Sequence, residues 1–438
     1  MVGAGPAGAR AAELLAREGA DVLLLDPRAP WEKPCGGGLT ASAFHDFPQL
    51  VSIQPLARRI DRVRLEASAD VFLDVALDDP LYVTARLTLS RWQLERAVRA
   101  GASFEQTAVK RVERAGGGWT LQLASGSARR VRRVIGADGA ASTVRKAVAP
   151  GLRVELSPTR VIFAHGPGMT PDAIVMRFFR AIPGYAWNFP RPDHRSIGLG
   201  LEPGEWSRSR LDADLESYWN TWGRCECVPA VRAGAVIGTA FHAMRASYPE
   251  IGGSDFALLG DAAGFADPVT GEGIRNALRS GQMLAEAYAQ DGSFSNYPRL
   301  AFAALEPEFR IARRMRRVLY AWDLPVRLIE AARRHAILHA LLAAIVYGGN
   351  EHDPRLWRSW WRELRRVRGP CAEAAGSVRT PVTLACRPEP VTAHVPSHST
   401  AADCASCGSG SASAATSGER DVRPMRSLNP VPRSLAER

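Results

Sequence analysis

With 438 residues, 46% of them hydrophobic and 23% charged, the chain can bury a large core, is too long for one simple domain, and has the balance of an ordinary soluble globular protein. Its 56 basic against 45 acidic residues give a formal charge of +11, but the stretch 308–368 alone holds 14 arginines against six acids. The excess is local, and no aromatic-interleaved basic module accompanies it, which argues against a nucleic-acid partner.

The opening reads as a strand end, Met1-Val2, then a glycine turn from Gly3 to Gly8, a helix over 9–18 and a strand over 21–26. Helical apolar spacing followed by the buried run Val-Leu-Leu-Leu is the pattern of a βαβ unit. Residues 63–89 alternate apolar and polar and predict antiparallel strands, with Pro80 at a turn. A helix is expected over 91–100, then strands over 109–134 around a hairpin turn at Gly116-Gly117-Gly118. Strands resume over 161–200, with turns at Pro167, Pro183 and Pro190-Arg191-Pro192. A helix over 211–222, strands around 235–243, a short buried strand over 256–260 and a helix over 273–290 follow. Residues 306–347 read as mostly helical.

From Gly369 onward the chain is rich in Ser, Ala, Pro and Thr and has no Phe, Trp or Tyr. Such a segment buries too little apolar surface to offset its ordering entropy, so 369–438 is expected to be a disordered tail. The seven cysteines have no framework spacing, and the Cys404/Cys407 pair in the tail has no partner pair, so neither a disulfide scaffold nor a zinc site is expected. The chain enters its glycine motif with no signal-peptide pattern, and the apolar run 336–347, broken by His339, is too short for a bilayer. The expected compartment is cytoplasmic.

Three separated motifs carry the chemistry. The first is Gly3-x-Gly5-x-x-Gly8 with Asp26 closing the second strand. Gly3 allows the tight turn, Gly5 lets backbone approach a pyrophosphate, and Gly8 lets helix and strand pack closely. The helix N-terminus then faces the phosphates, and Asp26 is placed to accept from ribose hydroxyls. The second motif is Gly136-Ala-Asp138-Gly139-x-x-Ser142-x-x-Arg145. The third runs from Leu258 through Gly260-Asp261 and Asp267-Pro268 to Gly271-Glu272-Gly273-Ile274. Both put a carboxylate directly after a buried strand, where crevices form at strand C-termini. Asp261 suits a ribityl hydroxyl, and Gly271 to Ile274 would bring backbone to a flavin ring.

In this order and spacing the trio resembles the FAD-dependent superfamily that contains aromatic hydroxylases and geranylgeranyl reductases, over roughly residues 1–300. The resemblance implies an α/β fold: a Rossmann-type FAD domain from 1–65, 90–150 and 250–300, an inserted antiparallel-sheet substrate domain from 66–89 and 151–249, and a helical C-terminal region over 301–368. It places Arg91 at a helix position that contacts FAD. One departure concerns the start: only two residues precede Gly3, so the first strand is expected to be mostly missing, by truncation or by a start set too late, and FAD binding to be weakened in the former case.

Two further segments resemble geranylgeranyl reductases in particular. Lys33-Pro34-Cys35-Gly36-Gly37-Gly38 is similar to their PCGGG signature, in which the cysteine lies beside the flavin. Tyr185-x-Trp187-x-Phe189-Pro190 is similar to their YxWxFP motif lining the lipid cavity, although Pro183 stands one residue nearer to the tyrosine than in many members. The resemblance implies an oxidoreductase that saturates isoprenoid C=C bonds. Cys35 would donate a proton, Tyr185 and Trp187 would hold the prenyl chain and stabilise developing positive charge, and Gly37, Gly38 and Phe189 would line the substrate site. The electron donor would be NAD(P)H or a small redox protein.

Relatives with other activities share the FAD motifs. An aromatic monooxygenase does not require PCGGG. A halogenase-like enzyme carries a cavity lysine, and none occurs between Lys33 and Lys110. An electron-transfer flavoprotein–quinone oxidoreductase needs an iron–sulfur cysteine cluster, which Cys225, Cys227, Cys371 and Cys386 do not space. A non-catalytic relative that has lost flavin is the remaining alternative. The arginines 310, 313, 314, 316 and 317, followed by Leu338, Leu341, Leu342, Ile345 and Val346, give two readings of 306–347: peripheral contact with an anionic membrane, or a cap on the FAD domain with a solvated arginine face.

Overall fold

The computed structural model describes residues 1–164, 173–180, 184–201, 207–222, 231–239, 248–319 and 324–335, with 338, 339 and 342 beyond them. The expected turns at Pro167 and Pro183, most of 336–347 and the predicted tail 369–438 lie outside these residues.

The N-terminal glycine turn sits in a parallel sheet. Strand Leu23–Leu25 pairs with Ser103–Glu105, strand Val134–Gly136 pairs with Phe256–Leu258, and Val2 bridges both pairs, with Leu25 on one side and Gly136 on the other. Val2 thus holds the central place of this sheet, immediately before the glycine turn. The Val2 amide donates to the Ile135 carbonyl at 2.8 Å, and the Ala137 amide donates to the Val2 carbonyl at 2.8 Å.

Helix Pro6–Arg17 starts with proline in its first turn and buries a face of small residues, Ala7, Gly8, Ala11 and Ala12. Small residues permit close helix contact: a Cβ on Gly281, in the long helix Ile274–Asp291, would stand 2.7 Å from the Ala7 carbonyl oxygen. Gly8 is tighter still, since its Cβ would lie 1.9 Å from the Gly3 carbonyl oxygen. The core around this sheet includes Leu24, Leu25, Val134, Ala257 and Leu258, each almost fully buried.

The second layer is an eight-stranded sheet. From edge to edge it runs Val231–Thr239, Glu155–Ala164, Arg195–Leu201, Gly184–Pro190, Ile174–Phe178, Arg58–Glu66, Phe72–Val83 and Gly38–Leu39. All pairings are antiparallel except that of Ile174–Phe178 with Arg58–Glu66. Helix Leu324–Ala332 shares an apolar core with Ile60, Val63 and Val75, and helix Arg208–Trp222 shares another with Ile162, Ile197 and Leu199. A separate three-stranded sheet, Val109–Ala115, Gly118–Leu123 and Ala128–Val131, turns at Gly117 as the glycine run predicts.

Three expectations shift. Pro80 lies inside the strand Phe72–Val83, and the turn falls before it, between Glu66 and Phe72. The strand Arg58–Glu66, read from sequence as the end of the first FAD segment, belongs to the large sheet. The helix expected over 91–100 spans Arg86–Arg99. Its N-cap, Ala85, has no capping side chain; instead the Glu32 carboxylate accepts from the Arg86 amide at 3.0 Å and the Leu87 amide at 2.8 Å. A cap supplied from more than fifty residues away leaves no local sequence signal.

Candidate active site

One cavity of about 710 Å³ opens between the parallel sheet and the large sheet, within the range of a ligand site. Gly3, Gly5, Asp26, Asp138, Gly139, Gly260 and Asp261 line it, and so do Gly271, Gly273 and Ile274. The three motifs therefore converge. Gly8 does not reach the cavity; it sets the distance between turn and helix.

The walls fit FAD. Gly5 and Gly139 present bare backbone, with no atom within 4 Å of where a Cβ would stand. Two helix N-termini, at Pro6 and Ile274, open on the cavity and suit a pyrophosphate and an electron-rich ring edge. Asp26 accepts from the amides of Ala4, Arg28 and Ala29 at 2.8 to 2.9 Å. A carboxylate has about four acceptor sites, so one remains for a ribose hydroxyl.

Asp138 is engaged differently from the expectation. It accepts from the Ser142 hydroxyl and from the amides of Thr143, at 2.7 Å, and Val144, at 3.2 Å. Its carboxylate caps the helix Thr143–Val148, so it shapes the cavity wall through the backbone. Arg145 then ties the second motif to the third, donating to the carbonyls of Ala140 at 2.6 Å and Ala262 at 2.9 Å. Asp261 pairs with Lys33 at 3.4 Å, which joins the third motif to the cysteine loop.

The PCGGG and YxWxFP segments form one structure. A Cβ on Gly36 would lie 2.7 Å from the Phe189 ring, and one on Gly38 3.2 Å from it, so the glycines make room for that ring. Gly37 adopts φ +87° with its Cβ position 2.2 Å from the Thr84 carbonyl oxygen, a site only glycine fills. Period two puts Tyr185, Trp187 and Phe189 on one sheet face. Across the strand pair, Gly198 and Gly200 lie beneath the Trp187 ring. The Trp187 indole donates to Ser196 Oγ at 3.3 Å, and Ser196 Oγ donates to the Cys35 carbonyl at 2.8 Å. The Tyr185 hydroxyl donates to the Thr270 carbonyl, beside Gly271. Tyr185 and Trp187 rings stand 6.0 Å apart. Cys35, Gly37, Gly38, Tyr185, Trp187 and Phe189 all line the cavity.

Burial pushes the Cys35 thiol up, but the charges of Arg86, Lys33 and Arg191 and the Gly37 amide outweigh it, leaving the thiol below its ordinary value. Burial holds the Tyr185 phenol well above its ordinary value and therefore protonated. Glu272, absent from the sequence reading as a site residue, also lines the cavity. Its Oε1 is buried without a hydrogen-bond partner. Burial pushes its carboxyl up to about 7, with Asp267 adding to the effect and Arg275 opposing it.

Arg91 is not at the site: it is exposed and does not line the cavity, whereas Arg86 is buried and does. Five residues along a helix turn a side chain by about 140°, so both cannot face one ligand. Starting the helix at Arg86 hands the cavity to that residue. In helix Tyr297–Leu319 the arginine cluster also divides. Arg310, Arg314 and Arg317 are exposed, but Arg313 is buried and paired with Glu306 at 2.9 Å. Leu338 and Leu342 pack in the core beneath the large sheet. Among the described residues no cluster of metal-ligating side chains occurs, and no helix is long and apolar enough to cross a membrane.

No family model matches the chain. It is 30% identical over 350 residues to menaquinone reductase of Mycobacterium tuberculosis, covering 72% of this chain and 82% of that protein. It is also 30% identical to digeranylgeranylglycerophospholipid reductase 1 of Methanopyrus kandleri, covering 71% and 86%. Its fold is similar to that of a geranylgeranyl bacteriochlorophyll reductase-like protein from Thermoplasma acidophilum, with a TM-score of 0.65, 20% identity and coverage of 84% and 98%. Convergent FAD motifs, a cysteine loop seated under an aromatic strand, and relatives of this similarity have one reading: the chain belongs to the geranylgeranyl reductase family of FAD-dependent oxidoreductases.

Proposed function

We propose that the protein saturates C=C bonds of an isoprenoid chain, with Cys35 as the proton donor. One observation carries this reading. The cavity that receives the three FAD motifs continues along aliphatic walls, Val63, Leu65, Ile174, Met176, Leu328 and Ile329, and Cys35 is the one thiol among its described lining residues. The first wall binds a charged dinucleotide, and the second suits a hydrocarbon chain.

Reduction of an alkene adds a hydride to one carbon and a proton to the other. Bound and reduced, FAD supplies the hydride. The protein supplies position and the proton. Cationic neighbours stabilise the thiolate that remains after Cys35 gives up its proton, so donation is eased, and the thiol is refilled from water. Tyr185 and Trp187 offer ring faces to a carbon that gains positive charge. Their hydrogen bonds to Thr270 and Ser196 hold the rings in place. NAD(P)H or a small redox protein is the electron donor in this reading. The exposed stripe of Arg310, Arg314 and Arg317 supports peripheral docking on an anionic bilayer, which flotation with anionic against neutral vesicles tests.

The decisive experiment incubates FAD-loaded protein, reduced chemically, with geranylgeranyl diphosphate and, separately, with menaquinone, followed by mass spectrometry of the lipid. A gain of two hydrogens per reduced bond is expected with at least one of them. Unchanged lipids, with hydroxylation or halogenation of an aromatic acceptor instead, would overturn the reading.

A further inference from the structure

The aromatic strand ends at Pro190, and the next residue places an arginine side chain in full burial. The turn that holds it is closed by the Arg191 amide donating to the His194 carbonyl at 2.8 Å. A buried guanidinium must find acceptors for five N–H groups. Arg191 makes five such contacts. Nε reaches the Gly36 carbonyl at 3.3 Å, and Nη2 reaches the carbonyls of Cys35 at 2.6 Å and Gly36 at 3.3 Å. Nη1 meets Glu32 Oε1 at 2.6 Å and His194 Nε2 at 2.9 Å.

A guanidinium only donates, so His194 Nε2 accepts; its proton then sits on Nδ1, facing Asp193 Oδ1 at 2.7 Å. The Phe163 ring lies 5.1 Å from the guanidinium carbon. Glu32 is the same carboxylate that caps the helix presenting Arg86. Arg191 itself does not line the cavity. Its bonds end on the backbone of the cysteine loop and on the two side chains that hold the arginine there.

We infer that Arg191 is the positioning residue of the cysteine loop: from the end of the aromatic strand it grips the Cys35 and Gly36 carbonyls, fixes where the thiol stands relative to Tyr185 and Trp187, and keeps a cation beside it. Its effect on rate rests on the reading of Cys35 as proton donor; the geometry does not. The groups facing the thiol are Lys33 from its own loop, Arg86 from the helix, Arg191 from the turn and Tyr185 from the strand. Lys33 is shared with Asp261 and Arg191 with Glu32.

The test alkylates the FAD-loaded full-length protein with iodoacetamide between about pH 5 and pH 10 and follows the Cys35 peptide by mass spectrometry. Arg191→Met should raise the midpoint of Cys35 alkylation and lower the rate of alkene reduction about 10-fold, with KM nearly unchanged. Arg191→Lys should leave that midpoint close to the parent's, because the charge remains. It should still slow reduction, because an ammonium lacks the planar fork that spans two carbonyls and a carboxylate. An alkylation profile of Arg191→Met that superimposes on the parent's, or a full parental rate in Arg191→Lys, overturns the inference. Should Arg191→Met fail to hold FAD, the lysine variant decides alone. Full alkene reduction by Cys35→Ser would remove the proton-donor reading and leave the alkylation result standing.

Discussion

The two walls of the cavity are built by opposite means. On the FAD side, two of the carboxylates are held largely by backbone close to them in sequence: Asp138 caps the helix that follows, and Asp26 accepts from Arg28 and Ala29 as well as from the glycine turn. On the substrate side, the cysteine loop is held by Arg191 and Ser196, more than 150 residues away. Local bonds make a motif that works wherever its segment folds, whereas distant ones make a site that exists only when the large sheet has closed.

The comparison breaks most sharply at the glycines of the local wall. Gly8→Val would drive side-chain atoms into the Gly3 carbonyl, which is backbone and cannot yield. A loss of about 3 kcal/mol or more in stability, with no FAD absorbance in the purified protein, is expected. Retention of yellow colour would show that the glycine turn tolerates displacement.

Next in size is Cys35→Ser. FAD content and thermal midpoint should match the parent, while alkene reduction falls by about 10²-fold or more. The parent's rate should decline as pH rises through a thiol value below that of an ordinary cysteine, since only the protonated form donates. A rate that rises through that range instead would count against proton donation.

Glu272 gives a smaller effect with a definite sign. Its folded value of about 7 lies above the ordinary carboxyl value of 4.5, so the folded state binds more protons between the two. The stability this provides is fully present below the unfolded value and is lost as pH rises through 7. Glu272→Gln should flatten that decline in flavin-free protein. Identical pH dependence in chemical denaturation of parent and variant would remove Glu272 from the account. The smallest change is Arg91→Ala, expected within about 0.5 kcal/mol of the parent with full FAD content. Loss of flavin there, with retention in Arg86→Ala, would reverse the assignment of the helix face.

Reading the chain locates the three FAD motifs and the βαβ opening because each depends on neighbours in sequence. Gly3, Gly5 and Gly8 announce a tight turn before a helix, and Asp26 follows a run of buried aliphatics. The same method does not find Arg86, because the helix that presents it is capped from Glu32, and it assigns Pro80 to a turn because alternation alone does not say where a hairpin bends. Arg191 was visible only as part of a turn. Nothing in its neighbours shows that it is buried or that it reaches Cys35.

By itself, then, the sequence determined the cofactor class, the order of the motifs and the presence of a thiol and an aromatic strand, since periodicity and glycine geometry act over a few residues. Tertiary structure decided that Phe189 lies against Gly36 and Gly38, that Arg86 faces the cavity, that Glu272 carries an unpartnered buried oxygen, and that Arg191 closes on the cysteine loop. Each of these depends on strand register or on desolvation, and both arise only when segments remote in the chain pack together and exclude water.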